Sequence, residues 1–456
     1  SHFGFLSSLS FTRSLTLPAM ASLLFKSLRG AAAQQYSSRR FKCLGGLGLN
    51  GSAPATLLSS LSPSSTSSSS SSSSFSSSAA SAAASSSSSS SSSAAVPPVE
   101  VHNPAGKHRV LVTKNLPGER WMQLLVAADC RVEVCTSPDV ILSNEQIVSL
   151  IGHKCDGVLG QLTENWNHEL FEALKQAGGK GMSNYAVGYN NVHVPSATER
   201  GIPVGNTPGV LTETTAELAA ALTLAAARRV VEADVFMRAG KYEGWLPTLF
   251  VGHLLQRKTV GIVGAGRIGQ AYAKMLVEGH KMDLVYYDPF PQPAFEKYLD
   301  GYGKFLESQG DEPIKWRRAE SVEELLPQCD VVSLHCLLDD NTRHLMNEAR
   351  LNMMKDTAVL VNAARGPVID EVALVKHLKE NPTFMCGLDV FEDEPLMKPG
   401  LADCPNAVIV PHIASASLYT RGGMATLAAQ NVAALVNGYP VWNKQDITPF
   451  LDMPIA

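Results

Sequence analysis

Between Thr259 and Gly269 the chain reads Thr-Val-Gly-Ile-Val-Gly-Ala-Gly-Arg-Ile-Gly, an order that few folds accommodate. The apolar run Thr259 to Val263 has the character of a buried parallel strand. It leads directly into Gly264-x-Gly266-x-x-Gly269, and the residues from Gln270 to Leu276 that follow are helix formers. Gly264 suits the tight turn, Gly266 lets backbone approach a pyrophosphate, and Gly269 lets helix and strand pack closely. Free N–H groups at the helix start, around Arg267 and Ile268, are then available to phosphate oxygens. Asp288 follows nineteen residues after Gly269, closing the strand Leu284 to Tyr287. An acid there accepts hydrogen bonds from the adenosine ribose hydroxyls and repels a 2′-phosphate, so the pattern predicts NADH/NAD with NADPH disfavoured. A glycine pattern alone is weak. Strand, helix and acid in register make it a dinucleotide site.

Charge is unevenly spread. Residues 1–99 hold six Lys or Arg and no acid; the chain totals −4, so residues 100–456 carry −10. An acidic body has no general attraction for nucleic acid or anionic membrane. An anionic substrate therefore needs a locally built positive site. The eight cysteines form no CxxC pair, which fits reduced thiols better than a disulfide framework or a metal site. No apolar run approaches the roughly 18–20 residues of a membrane span.

The first 99 residues read as an addition to the folded protein. From Met20 to Phe41 the chain is basic, rich in Ser and Ala and free of acids. Those are features of an organelle transit peptide. Ser52 to Ala95 is nearly all Ser and Ala, too poor in large side chains to build a core. A mature N-terminus is expected between about residue 40 and residue 105.

From Lys107 onward, short β-like runs (Arg109–Thr113, Arg131–Cys135, Gly157–Gly160) alternate with helical stretches. That alternation predicts an α/β unit with a parallel sheet ahead of the dinucleotide motif. An alanine-rich helix from Thr212 to Arg229 is long enough to cross between domains. An irregular arm, Arg238 to Gln256, carries Trp245 and Phe250, each either a dimer anchor or tucked into its own subunit. Pro289 to Arg318 reads as a polar insertion. Later strands close at Asn362 with Arg365, at Asp389 with Glu394, and at His412. Strand C-termini border the ligand crevice of an open parallel sheet. The helix Thr420 to Val436 is placed to return to the first unit.

Those polar strand ends suit reduction of a 2-oxo acid. Arg365 supplies a planar fork for carboxylate and carbonyl oxygens. His412 is a proton carrier near neutral pH. Glu394 can hold the other ring nitrogen and keep the imidazole protonated. Singly, each has a plainer explanation: a surface ion pair, a loop acid, a satisfied core histidine. Following successive strands of one sheet, the three outweigh it.

The motifs Gly264-Ala-Gly266-Arg-Ile-Gly269, Val361-Asn362-Ala-Ala-Arg365-Gly-Pro367, Gly387-Leu-Asp389-Val-Phe-Glu-Asp-Glu394-Pro395 and Pro411-His412-Ile-Ala-Ser415 resemble the D-isomer-specific 2-hydroxyacid dehydrogenases. Within that family, Gly160-Gln-Leu-Thr-Glu-Asn-Trp166 and Tyr242-Glu-Gly-Trp245-Leu-Pro247 are similar to the plant-type NADH-dependent hydroxypyruvate reductases. The resemblance implies two Rossmann-like domains, the NAD-binding domain (209–411) inserted into a flavodoxin-like substrate domain (107–208 and 412–456). It implies that Arg365, Glu394 and His412 are the substrate arginine, the histidine-pairing acid and the general acid/base. The backbone at Val187-Gly188 is implied to grip the substrate carboxylate, and Asn362 and Asp389 to lie near the nicotinamide. The implied reaction is photorespiratory reduction of hydroxypyruvate to D-glycerate, with glyoxylate poorer, in a homodimer that uses the Trp245 arm. 3-Phosphoglycerate, as the substrate of another D-2-hydroxyacid dehydrogenase, ranks lower, because a phosphate calls for further cations. Formate oxidation ranks lower still, since that branch has Gln where this chain has Glu394. An NAD(H)-sensing corepressor is the reading from a different class.

Two departures stand out. The chain ends Leu451-Asp-Met-Pro-Ile-Ala456 rather than in Ser-Lys-Leu, so the basic leader is read as addressing an organelle matrix, the mitochondrion ahead of the chloroplast, with the peroxisome as alternative. His193 stands where the family often has an acid, and it is expected to be peripheral.

Overall fold

The computed structural model describes residues 96–442 and Phe450. The leader and the Ser/Ala-rich segment up to Ala95, and the tail beyond Phe450, lie outside the described residues.

Two parallel sheets organise the chain. The first contains β1 (Val99–His102), β2 (His108–Val112), β3 (Cys130–Cys135), β4 (Gly157–Gly160), β5 (Gly181–Asn184) and β6 (Val204–Gly205), in the order β1-β3-β2-β4-β5-β6. Apart from β1, which runs antiparallel to β3, the pairs are parallel. The parallel strands thus follow the flavodoxin-like order. The sequence reading began the fold at Lys107 and missed β1. Val99 and Val101 are each 39 % exposed, so this edge strand carries no buried apolar face to announce it.

The second sheet contains β7 (Thr259–Val263), β8 (Asp283–Tyr287), β9 (Trp316–Arg318), β10 (Val331–Leu334), β11 (Val359–Asn362), β12 (Met385–Leu388) and β13 (Ala407–Ile409). Its order, β13-β12-β11-β10-β7-β8-β9, is the doubly wound arrangement, with the switch point between β7 and β10. Alternate residues feed opposite faces: Val260, Ile262, Val331 and Val361 enter one core cluster, Val263, Val332 and Leu360 the other.

Two stretches differ from expectation. Pro289 to Arg318, read as a polar insertion, contains a regular helix, Pro293–Ser308, and ends in β9. Phe295, Leu299 and Leu306 line one buried face, a stripe its many polar residues concealed. The alanine-rich helix stops at Ala227, and Arg229, at φ 54°, turns the chain into a second helix, Val230–Arg238. The helix Leu418–Val436 packs on the first sheet, where Ala425, Ala429 and Val432 join Val110, Val112 and Leu159 in one cluster.

Candidate active site

The glycine turn joins β7 to the helix Arg267–His280. Gly264 has φ 95°, and a Cβ on Gly269 would lie 2.2 Å from the Gly264 carbonyl oxygen. Neither position tolerates a side chain. At Gly266 an added Cβ meets nothing within 4 Å, so the space before the helix start is open. Among the described residues no hydrogen bond uses the N–H of Arg267 or Ile268. Asp288 folds back on the turn, its Oδ2 accepting from the Ala265 N–H at 2.9 Å and its Oδ1 from the Phe290 N–H at 2.9 Å. Open cradle, free donors and neighbouring acid fit a dinucleotide.

Two loops at the C-terminal edge of the second sheet carry the polar groups. After β11, buried Asn362 accepts from the Ala364 N–H at 3.0 Å and donates to the Arg365 carbonyl at 2.9 Å, closing the turn that presents Arg365. Burial draws the guanidinium below its ordinary pKa, against the pull of the Glu394 charge. After β12, Glu394 accepts through Oε1 from the Phe391 N–H at 3.0 Å, and its Oε2 lies 2.9 Å from His412 Nδ1. Burial acts to raise the Glu394 carboxyl. The bond and charge of His412, the Phe391 N–H and the charge of Arg365 outweigh it and hold the group below the usual carboxylate range.

His412 itself sits at φ 51°, a left-handed conformation that costs a non-glycine residue energy. Asp389 holds that loop in place: Oδ1 accepts from the Ile413 N–H at 2.6 Å and Oδ2 from the Ala414 N–H at 3.0 Å. The bonds that Asn362 and Asp389 make are therefore to the loops that carry Arg365 and His412.

The first sheet closes the site from the other side. A Cβ on Gly188 would fall 1.6 Å from Arg365 Nη2, so the guanidinium rests directly on the Gly188 backbone. Asn206 Nδ2 donates to the Val187 carbonyl at 2.9 Å and Asn184 Nδ2 to the Gly188 carbonyl at 3.0 Å. With both carbonyls tied and neither N–H bonded among the described residues, the Val187-Gly188 donors remain available beside Arg365. Asn191 extends the brace, donating to the Gln161 and Glu164 carbonyls. The asparagines at 184 and 191 lie inside the stretch Ser183 to Val192, but no local spacing marks them as supports. His193 precedes the short helix Val194–Glu199 at the surface, its Nδ1 2.6 Å from Ser196 Oγ.

Sequence reasoning also passed over Glu164, which is 2 % exposed. Its Oε2 accepts from Trp166 Nε1 at 2.9 Å, while Oε1 has no partner. Burial pushes the carboxyl up to about 7, against the Trp166 hydrogen bond and the charge of Lys114. The sign follows from linkage. Between the ordinary carboxylate value and 7 the native chain keeps a proton that the unfolded chain has lost. The stability tied to that proton is complete below the unfolded pKa and is lost as pH rises through 7. Its size is on the order of 3 kcal/mol. Glu164→Gln should therefore be more stable than the unaltered chain at pH 8 and gain little at pH 4, measured by urea unfolding at both. Equal gains at both values would refute the assignment.

Residues 220–414 match the family described as D-isomer specific 2-hydroxyacid dehydrogenase, NAD binding domain. The peroxisomal glycerate dehydrogenase HPR of Arabidopsis thaliana is 62% identical over 355 residues, 78% of this chain and 92% of that protein. This chain belongs to the D-isomer-specific 2-hydroxyacid dehydrogenases. A glyoxylate reductase of Korarchaeum cryptofilum is 41% identical, over 73% of this chain and 94% of its own. The crystal structure of a glyoxylate reductase from Paecilomyes thermophila superposes with a TM-score of 0.61 at 28% identity, covering 74% of this chain and 97% of that one. As a member of this dehydrogenase family, the chain works with a nicotinamide cofactor, and a small 2-oxo acid substrate is consistent with that family. Among the described residues there is no cluster of side chains suited to a metal, and no helix is long and apolar enough to cross a membrane.

Proposed function

We propose that this dehydrogenase reduces hydroxypyruvate to D-glycerate with NADH, and glyoxylate to glycolate less well, as a photorespiratory 2-oxo acid reductase. The observation that carries the reading is the His412–Glu394 pair beside an Arg365 that rests on the Gly188 backbone. The 62% identity to a glycerate dehydrogenase and the 41% identity to a glyoxylate reductase support the two substrates.

Arg365 and the N–H groups of Val187 and Gly188 hold the substrate carboxylate, and the Arg365 fork also polarises the C2 carbonyl. When bound, NADH supplies a hydride to C2. His412 gives its Nε2 proton to the carbonyl oxygen. Glu394, ionised and bonded at Nδ1, orients the ring. Asn362 and Asp389 hold the two loops in place along the nicotinamide end of the crevice.

The deciding assay follows NADH oxidation with hydroxypyruvate, glyoxylate, pyruvate and phosphohydroxypyruvate side by side. Hydroxypyruvate should have the highest kcat/KM. A preference for phosphohydroxypyruvate would assign a different substrate, and no turnover of any of the four would favour an NAD(H)-sensing binding protein.

NADH preference rests on Asp288, whose carboxylate lies against the glycine turn. Asp288→Ser should raise the NADPH/NADH ratio of kcat/KM by about tenfold or more, the loss of roughly one charge repulsion. An unchanged ratio would place the discrimination elsewhere.

A homodimer is the arrangement we favour. The helix Val230–Arg238 buries none of its residues, and Val235, Met237, Trp245 and Leu254 stand exposed together with it. So large an apolar patch suits a subunit interface. Phe250 does not share that exposure: it packs edge-on against Phe236, and Arg229 lies over its ring. Val235→Asp should shift the sedimenting species from dimer to monomer; a wild-type monomer would dismiss the interface.

The peroxisomal relative supports an organelle address, and the basic leader supports a matrix, the mitochondrion ahead of the chloroplast. Residues 20–105 fused to a fluorescent reporter test it, and a cytosolic or peroxisomal signal would refute the leader.

A further inference from the structure

The adenosine end of the crevice holds a cation that the proposed reaction does not use. Arg318 closes β9 at the outer edge of the second sheet, in register with Tyr286 of β8, two residues before Asp288. Its Nη2 donates to the Asp288 carbonyl at 2.9 Å and to the Pro289 carbonyl at 3.1 Å, and its Nε to the Asp288 carbonyl at 3.3 Å. The guanidinium is thus fastened to the backbone of the very turn that carries the ribose-reading acid. It takes part in none of the ion pairs among the described residues. Its neighbour Arg317, by contrast, pairs with Glu324. No ion pair joins it to the Asp288 carboxylate, whose oxygens face the N–H groups of Ala265 and Phe290 instead.

A buried ion pair would explain such an arginine by structure alone, but here the only partners are carbonyl oxygens. Three N–H···O bonds to carbonyls fix the side chain's position and leave its full positive charge facing the C-terminal edge of the sheet, where ligands of this fold lie. Nε and Nη2 are spent on these carbonyls, and the two N–H groups of Nη1, with the uncompensated charge, are left to meet a phosphate oxygen. The adenosine 2′-position is the point on the dinucleotide where a phosphate can be present or absent, and it is the position Asp288 reads.

We infer that Arg318 is a second determinant of cofactor choice, a cation placed to take a 2′-phosphate on the adenosine ribose that Asp288 alone turns away. The inference rests on the reading of Asp288 given above. It changes what that reading means: the site is a balance of two opposed charges, and removing the acid leaves a phosphate anchor already in position.

The probes are 2′,5′-ADP and 5′-ADP, which differ in the 2′-phosphate, bound to the intact protein and measured by titration calorimetry. Four proteins are compared: the unaltered chain, Asp288→Ser, Arg318→Gln and the double variant. The quantity read is the affinity for 2′,5′-ADP relative to 5′-ADP. Asp288→Ser should raise it about tenfold or more, and adding Arg318→Gln should remove most of that gain, as expected for one charge-assisted contact. In the unaltered background, Arg318→Gln should lower the ratio several-fold. The KM for NADPH should move in parallel. Arg318→Lys, which keeps the charge and loses the planar guanidinium, serves if the glutamine variant folds poorly, and it should fall between the two. An unchanged ratio on altering Arg318, in both backgrounds, would overturn the inference. If altering Arg318 lowers the ratio while Asp288→Ser leaves it where it was, the role of Arg318 stands and the reading of Asp288 fails.

Discussion

Replacing His412 with alanine is expected to lower kcat for hydroxypyruvate by roughly a hundred- to ten-thousandfold, the range typical of a lost general acid, while NADH binds nearly as before. The separation follows from where the groups sit. The donors and acid that fit the dinucleotide belong to the turn after β7 and the end of β8, whereas His412 belongs to the loop after β13. The loop itself should survive, because Asp389 grips the N–H groups of Ile413 and Ala414 rather than the imidazole. Alanine enters the left-handed region less readily than histidine, so the change at φ 51° adds a modest backbone cost that the two Asp389 bonds resist. Stopped-flow reduction with fluorescence titration of NADH separates chemistry from binding. Full activity would remove His412 from the mechanism, and loss of NADH binding would make it a structural residue. Glu394→Gln offers a finer test: the amide oxygen still accepts from Nδ1 but carries no charge, so kcat should fall by less than in His412→Ala while NADH binding is kept. The depressed carboxyl of Glu394 means that this charge is present throughout the neutral range in the unaltered chain.

The second sheet was legible in the sequence because its strands are short apolar runs ending in residues that have no business in a core. Val359 to Val361 lead to Asn362, and Met385 to Leu388 to Asp389; the change from apolar to polar marks both the strand end and the crevice. The glycine turn was legible for a related reason, since Gly264 and Gly269 occupy places where a Cβ has no room. What stayed hidden depends on contacts between distant segments. No spacing reveals that Asn184, Asn191 and Asn206 support the Val187-Gly188 backbone, or that Glu164 is buried with an unpartnered oxygen. The helix Pro293–Ser308 was hidden by composition: glycine, tyrosine and charge on its outer face outnumber the few side chains that anchor it. Arg318 was hidden by chemistry. A lone arginine at a strand end looks like any surface cation until its partners prove to be carbonyls.

Gly188→Ala should have the other large effect, and the structure makes its character specific. The added Cβ would fall 1.6 Å from Arg365 Nη2 and 2.6 Å from Cζ, distances at which something must move. What moves is the end of a long side chain, not backbone, so the fold has an inexpensive escape: the guanidinium swings away. Stability should change little, within about 1 kcal/mol, and NADH binding should persist. The substrate loses the fork that holds its carboxylate and the carbonyl it polarises, and a displacement of about 1 Å in such a group can cost a hundredfold. The expected result is therefore a fall of about a hundredfold in kcat/KM for hydroxypyruvate with a nearly unchanged melting temperature. Arg365→Lys should resemble it, because an ammonium cannot reproduce the paired donors. The two changes combined should cost little more than either alone, since both remove the same contact. Additive losses would show that Gly188 and Arg365 act on the substrate independently, and an active, stable Gly188→Ala would mean that the guanidinium reaches the substrate from a different position.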